Sequence, residues 1–122
     1  MTHKVVVTPQ ARIELYEAAI WWAENRSVEQ AQRWLTAIER RIRELGDRPE
    51  QDPLARESDA FPVDLHQVAF GLGSHPTHRI VFEIPDTDVV VHAIRHVAQD
   101  DLSPDDLHHF VNREADDDDD DE

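Results

Sequence analysis

The sequence predicts a single α+β domain: an N-terminal strand, an antiparallel helical hairpin, a three-stranded antiparallel meander and a short C-terminal helix, followed by an acidic tail. Three observations carry that prediction. Residues 13–45 repeat their apolar positions every three or four residues, the helical period, whereas residues 65–97 fall into three β-rich runs separated by turn-forming clusters. The chain has 122 residues, enough for one hydrophobic core and too few for two ordinary domains. We assign residues 1–113 to the domain and 114–122 to a disordered tail.

The elements follow in order. Lys4-Val5-Val6-Val7-Thr8 is β-branched enough for a short strand, and Thr8-Pro9 then reads as a helix cap followed by proline at the first helical position. In the first helix, Ile13, Tyr16, Ile20 and Ala23 mark an apolar stripe widened by Leu15, Ala19 and Trp22, so this face is expected to be buried. Asn25-Arg26 closes it. Ser27-Val28-Glu29-Gln30 fits a capping box, and the stripe Ala31, Trp34, Leu35, Ile38, Ile42 and Leu45 defines a second helix. Gly46 is expected to end it as a left-handed cap, and the short connection implies a hairpin.

Residues 47–64, with Pro49, Pro53 and Pro62 among charged residues, predict an irregular connection of the kind that is often mobile or functional. The strand-like runs are Leu65–Leu72, Thr77–Ile84 and Val89–Val97, divided by Gly73-Ser74-His75-Pro76 and Pro85-Asp86-Thr87-Asp88. In the middle run Ile80, Phe82 and Ile84 share one face and Arg79, Val81 and Glu83 the other, which predicts one core face and one open face carrying Arg79. Ser103-Pro104 starts a last helix, from Pro104 to about Arg113, able to pack Leu107 and Phe110. The aspartate run beyond it repels itself and buries nothing.

Composition narrows the function. With no cysteine, disulfides and thiolate metal sites are excluded, and Val5-Val6-Val7 is far too short for a signal core or a membrane span, so a cytoplasmic protein is expected. The formal net charge is -15, and the eight carboxylates between Glu114 and Glu122 account for only part of it, so the domain itself is acidic. Lys4 is the sole lysine, and an Arg-and-Asp composition fits either a salt-adapted host or a GC-rich genome. At ~1 M salt the screening length falls to roughly 3 Å, and net charge then says little about access to nucleic acid. In ordinary cytoplasm it argues against non-specific binding.

Two segments carry a family likeness. His78-Arg79-Ile80-Val81-Phe82-Glu83-Ile84 resembles the central strand of the RelE/ParE toxin superfamily, and Val89-Val90-Val91-His92-Ala93-Ile94-Arg95-His96 with Val97-Ala98-Gln99-Asp100-Asp101-Leu102 resembles its last strand and exit. The likeness spans roughly residues 4–103. It implies a type II toxin that acts on mRNA at the ribosome or on DNA gyrase and is silenced by a cognate antitoxin, as a toxin-antitoxin hetero-oligomer, with no cofactor.

For the nuclease branch, the substrate's 2'-hydroxyl is the nucleophile, and the protein must supply a proton acceptor, a donor and cations for the phosphate. The resemblance implies Arg79, His96 and Gln99 at catalytic positions and His66, His78 and Arg95 at substrate-binding ones. An alternative for Arg79 is pairing with Glu83 or a loop carboxylate. Arg95 and His96 point to opposite faces, so at most one of them joins Arg79. Two departures weaken the nuclease reading: Gln99 cannot carry charge or transfer a proton, and Leu65-His66-Gln67-Val68-Ala69-Phe70 has no lysine where the best-studied nuclease type does. They favour gyrase inhibition or a catalytically inactive module that binds protein.

Eight histidines raise a metal reading, but His75/His78 and His108/His109 lack the helical i, i+4 spacing of a zinc motif, and no metal site is assigned. Trp22 and Trp34 lie on apolar stripes and read as core, whereas Trp21, off the main stripe, is the candidate for an antitoxin contact. The tail is read as solubilising, with self-inhibition by nucleic-acid mimicry and contact with a basic antitoxin as alternatives.

Overall fold

The computed structural model describes residues 2–107; Phe110, His108/His109, the rest of the expected last helix and the acidic tail lie outside the described residues. The elements are β1 (Lys4–Val7), α1 (Pro9–Asn25), α2 (Val28–Glu44), β2 (His66–Phe70), β3 (His78–Glu83) and β4 (Asp88–His96). β2, β3 and β4 pair antiparallel, and β1 joins the outer side of β4 in parallel, giving a four-stranded mixed sheet in the order β1-β4-β3-β2.

The helix starts follow local chemistry. The Thr8 hydroxyl accepts the Ala11 amide at 3.1 Å with Pro9 in the first turn, and the Ser27 hydroxyl accepts the Gln30 amide at 3.0 Å. Gly46, however, is not left-handed, since no glycine has a positive φ among the described residues. Its role is close approach: a Cβ here would stand 2.7 Å from the His3 carbonyl, and the His3 amide donates to the Gly46 carbonyl.

The hairpin packs on one face of the sheet. Trp34, Ile38 and Ile42 from α2, and Leu45 just past its end, meet Ile80, Phe82, Val89, Val91 and Ile94, as the clean periodicity of α2 predicts. Helix α1 departs from expectation. Its buried stripe is Ala11 and Leu15 with half-buried Ala18, Ala19 and Trp22, whereas Ile13, Tyr16 and Ile20 are 59%, 43% and 56% exposed. Because α1 is apolar on nearly every side, three-and-four spacing fits more than one face. A tertiary bond accompanies the choice: the Glu14 carboxylate accepts the Ile94 amide of β4 at 2.9 Å, which turns the Ala11–Leu15 side inward.

The other face of the sheet, expected to be open, is covered. Ala55, Phe61 and Leu65 from the 47–64 connection and its end, with Leu102 and Leu107 from the C-terminal segment, pack on Val81 and Ala93 in a second core. Two apolar strand residues facing the same way leave surface that must be buried, and the chain on both flanks buries it. The connection is therefore anchored: Ala55 donates to Leu65, Gln67 to Pro53, and the Leu65 amide to the Ser58 hydroxyl at 2.9 Å. It contains two single 3-10 turns, Pro49–Gln51 and Ser58–Ala60. At the expected last helix the structure has one 3-10 turn, Pro104–Asp106, capped by Ser103 and Asp106, with Leu107 already extended and buried.

Candidate functional site

Strand register divides the candidate residues. β3 and β4 pair His78 with His96 and Arg79 with Arg95, so the two arginines stand on the second-core side and the two histidines on the helix side. His66, opposite Phe82 at the far end of β2, shares the histidines' face but not their neighbourhood. The Arg79, His96 and Gln99 positions therefore do not converge.

Arg79, expected to be exposed, is 4% exposed. Its guanidinium forks onto the equally buried Glu57, through Nη1 to Oε1 at 2.7 Å and Nη2 to Oε2, and Nη1 also reaches the Gln67 side chain at 3.0 Å. Glu57 Oε2 additionally accepts the Leu102 amide at 2.9 Å, tying connection, sheet and C-terminal segment at one carboxylate. Burial alone would push the Glu57 carboxyl up, but hydrogen bonds from Arg79 and from backbone amides outweigh it and hold it at about 2. The loop-carboxylate alternative for Arg79 is the one observed. Glu57 carries no pattern that separates it from the other acids of residues 47–64.

Arg95 donates to the Asp100 carbonyl at 2.6 Å and braces the exit from β4. His66 is likewise engaged, donating from Nδ1 to the Asp52 carbonyl at 2.8 Å while its ring stacks on Phe82.

The remaining three candidates, His78, His96 and Gln99, line a cleft of about 770 Å³ between the C-terminal half of α1 and the ends of β3 and β4. His78 is wedged between Trp34 and His96, with ring centroids 5.0 and 5.2 Å away. Burial first, and the neighbouring His96 second, lower its pKa to about 4, so it is neutral at physiological pH and is not a ready proton donor. His96 is exposed, and its Nδ1 accepts the Ala98 amide at 3.0 Å, so in its neutral form the ring proton sits on Nε2. Gln99 turns its carbonyl oxygen back to the His96 amide at 2.7 Å. Its visible task is to close the strand end.

Helix α1 supplies the facing wall: Glu14, Glu17, Trp21 and Trp22, with Arg26 also lining the cleft. Burial, the largest influence, raises the Glu14 carboxyl above its ordinary value despite the amide bond from Ile94. Neither glutamate is marked by the sequence, because an acid on a helix carries no signal of what it faces. Among the described residues no group of three or more metal-ligating side chains is found, and no helix is long and apolar enough to cross a membrane.

Residues 5–101 match the family described as the ParE toxin of the type II toxin-antitoxin system parDE. The chain belongs to the ParE toxin family. Among solved structures, the ParE-like fold is shared with one titled "Chromosomal ParDE TA system from P. aeruginosa", at a TM-score of 0.63 and 14% identity over 79% of this chain and 97% of that one. No curated protein sequence matches the chain. Membership of the ParE family accounts for the hairpin laid over a mixed sheet, and the matched region ends just beyond the Gln99 turn.

Proposed function

We propose that this chain is the toxin of a type II pair, acting in the cytoplasm, held by a cognate antitoxin in a hetero-oligomer, and arresting growth by binding DNA gyrase rather than by cleaving mRNA. The observation that carries the choice of target is the sealing of Arg79. A phosphate-binding guanidinium has to present its donors to solvent, and here both terminal nitrogens are spent on Glu57 and Gln67 beneath a second hydrophobic core. The other elements of an RNA-cleaving centre are equally scattered: His96 lies across the sheet from Arg79, and Gln99 cannot transfer a proton. The accessible cleft carries two carboxylates, which repel a phosphate backbone.

The test is inducible expression of the chain beside two variants, Arg79→Ala and the paired Arg79→Met with Glu57→Leu, followed by growth, primer extension on cellular mRNA and gyrase supercoiling. On this reading the wild type arrests growth with intact mRNA and impaired supercoiling. The paired variant keeps that activity, because replacing a buried ion pair by apolar side chains of similar size preserves the core at a cost of about 1–3 kcal/mol for the Leu102 amide that loses its acceptor. Codon-phased mRNA cuts lost in the paired variant would return Arg79 to a catalytic role. No arrest at all would leave a protein-binding module of the same fold.

A further inference from the structure

The cleft beneath α1 brings together two carboxylates, Glu14 and Glu17, that no ion pair among the described residues neutralises, with Arg26 as the lining cation. Among the described residues the ion pairs are Arg41 with Asp52, Arg56 with Asp101 and Arg79 with Glu57, with His92 hydrogen-bonded to Glu83, and none involves Glu14 or Glu17. Glu14 is partly buried, with one oxygen accepting the Ile94 amide and the other only a long contact of 3.4 Å from Gln10. A carboxylate taken partly out of water in this way gains from an arriving positive charge, which reverses the effect of its desolvation.

The aromatic wall points to the same class of ligand. Trp21 and Trp22 stand edge to face at a centroid separation of 5.1 Å, and both line the cleft beside the two glutamates. Trp21 is half exposed, and the Trp22 indole Nε1 is buried without a hydrogen-bond partner. Indole faces next to carboxylates form a favourable environment for a planar, delocalised cation, which stacks on the ring while its N–H fork meets the acid.

From this geometry we infer that the α1–β4 cleft is a docking site for an arginine side chain presented by a basic segment of a partner protein. Self-occupancy is disfavoured: two copies, each with a net charge of -15, repel one another, and the terminal run of aspartates offers no cation. Nucleic acid is disfavoured by the same two carboxylates. Arg26 lines the cleft and Arg95 acts on Glu14 through space, but among the described residues neither forms an ion pair with Glu14 or Glu17.

The site goes beyond the toxin reading, and its test reads binding rather than growth, so each can fail alone. The full-length, nitrogen-15-labelled chain is titrated at physiological ionic strength with acetyl-Ala-Arg-Ala-amide and with the neutral isostere acetyl-Ala-citrulline-Ala-amide. The indole N–H signals of Trp21 and Trp22 should shift saturably with the arginine peptide, with an affinity roughly ten-fold above the citrulline peptide. Glu14→Gln combined with Glu17→Gln should abolish that preference. Glu17→Gln alone, at an exposed position with no hydrogen bond or ion pair among the described residues, should weaken arginine binding about three-fold and keeps the test decisive if the double variant misfolds. Equal affinity for the two peptides, shifts confined to the aspartate tail, or undiminished binding by Glu17→Gln would overturn the proposal.

Discussion

Replacing Glu57 by Gln removes the charge that holds Arg79 inside the protein while leaving a side chain of nearly the same shape. The Glu57 carboxyl sits at about 2, against an ordinary value of 4.5, so the folded state prefers the ionised form by about 2.5 pKa units. At 1.36 kcal/mol per unit this is about 3 kcal/mol, the lower end of the ~3–5 kcal/mol lost when one partner of a buried pair is removed. Because the folded value is depressed, this contribution is fully present above pH ~4.5 and is lost as pH falls through about 2. Urea unfolding at pH 7 should thus show Glu57→Gln destabilised by about 3 kcal/mol, a midpoint shift of roughly 1–3 M for a small domain. The gap between wild type and variant should narrow steadily below pH 4.5. A variant within ~0.5 kcal/mol of wild type at pH 7, or a gap that does not change with acid, would refute the claim that this pair locks the second core.

His78→Phe should flatten a second pH dependence. The buried, neutral ring has a folded pKa of about 4 against 6.5, so wild-type stability declines as pH falls from 6.5 towards 4, and denaturant titrations across that range should show a shallower decline in the variant. Gly46→Ala should lose about 1–3 kcal/mol, since the new methyl meets the His3 carbonyl at 2.7 Å and backbone must shift to admit it; thermal unfolding measures this directly. Trp34→Ala, at 0% exposure, should cost about 3–5 kcal/mol in the same assay. Ser27→Ala removes the acceptor for the Gln30 amide and should cost about 1 kcal/mol, a difference visible in urea midpoints.

Where one local rule dominates, the sequence was legible. Helix α2 is apolar on one side and charged on the other, so only one face can be buried, and Trp34, Ile38 and Ile42 are the residues its period marks. The strand ends came within a few residues because proline, glycine and aspartate clusters interrupt the pairing. Helix α1 was legible only in part: Leu15, Ala19 and Trp22 turn inward while Ile13, Tyr16 and Ile20 do not, because its apolar residues surround it, and the bond from Glu14 to an amide eighty positions away is a contact no local pattern contains. The same holds for the site. Alternation correctly separated Arg95 from His96, but whether Arg79 faced water depended on what the segment around Glu57 would do. Prolines and charges made that segment look loose, while Ala55, Phe61 and Leu65 within and beside it were enough to seal the sheet.

The parallel pairing of β1 with β4 has a consequence for how the protein is made. Lys4 registers with Asp88 and Val7 with Val91, so the first strand to leave the ribosome waits for the last before the sheet is complete. The hairpin can form early from local contacts, but its apolar face has no partner until β3 and β4 emerge, and pairings this distant in sequence close slowly. Synthesis that stops short of β4 leaves β1 unpaired and Glu14 without its amide, so the folded surface forms only once β4 is available.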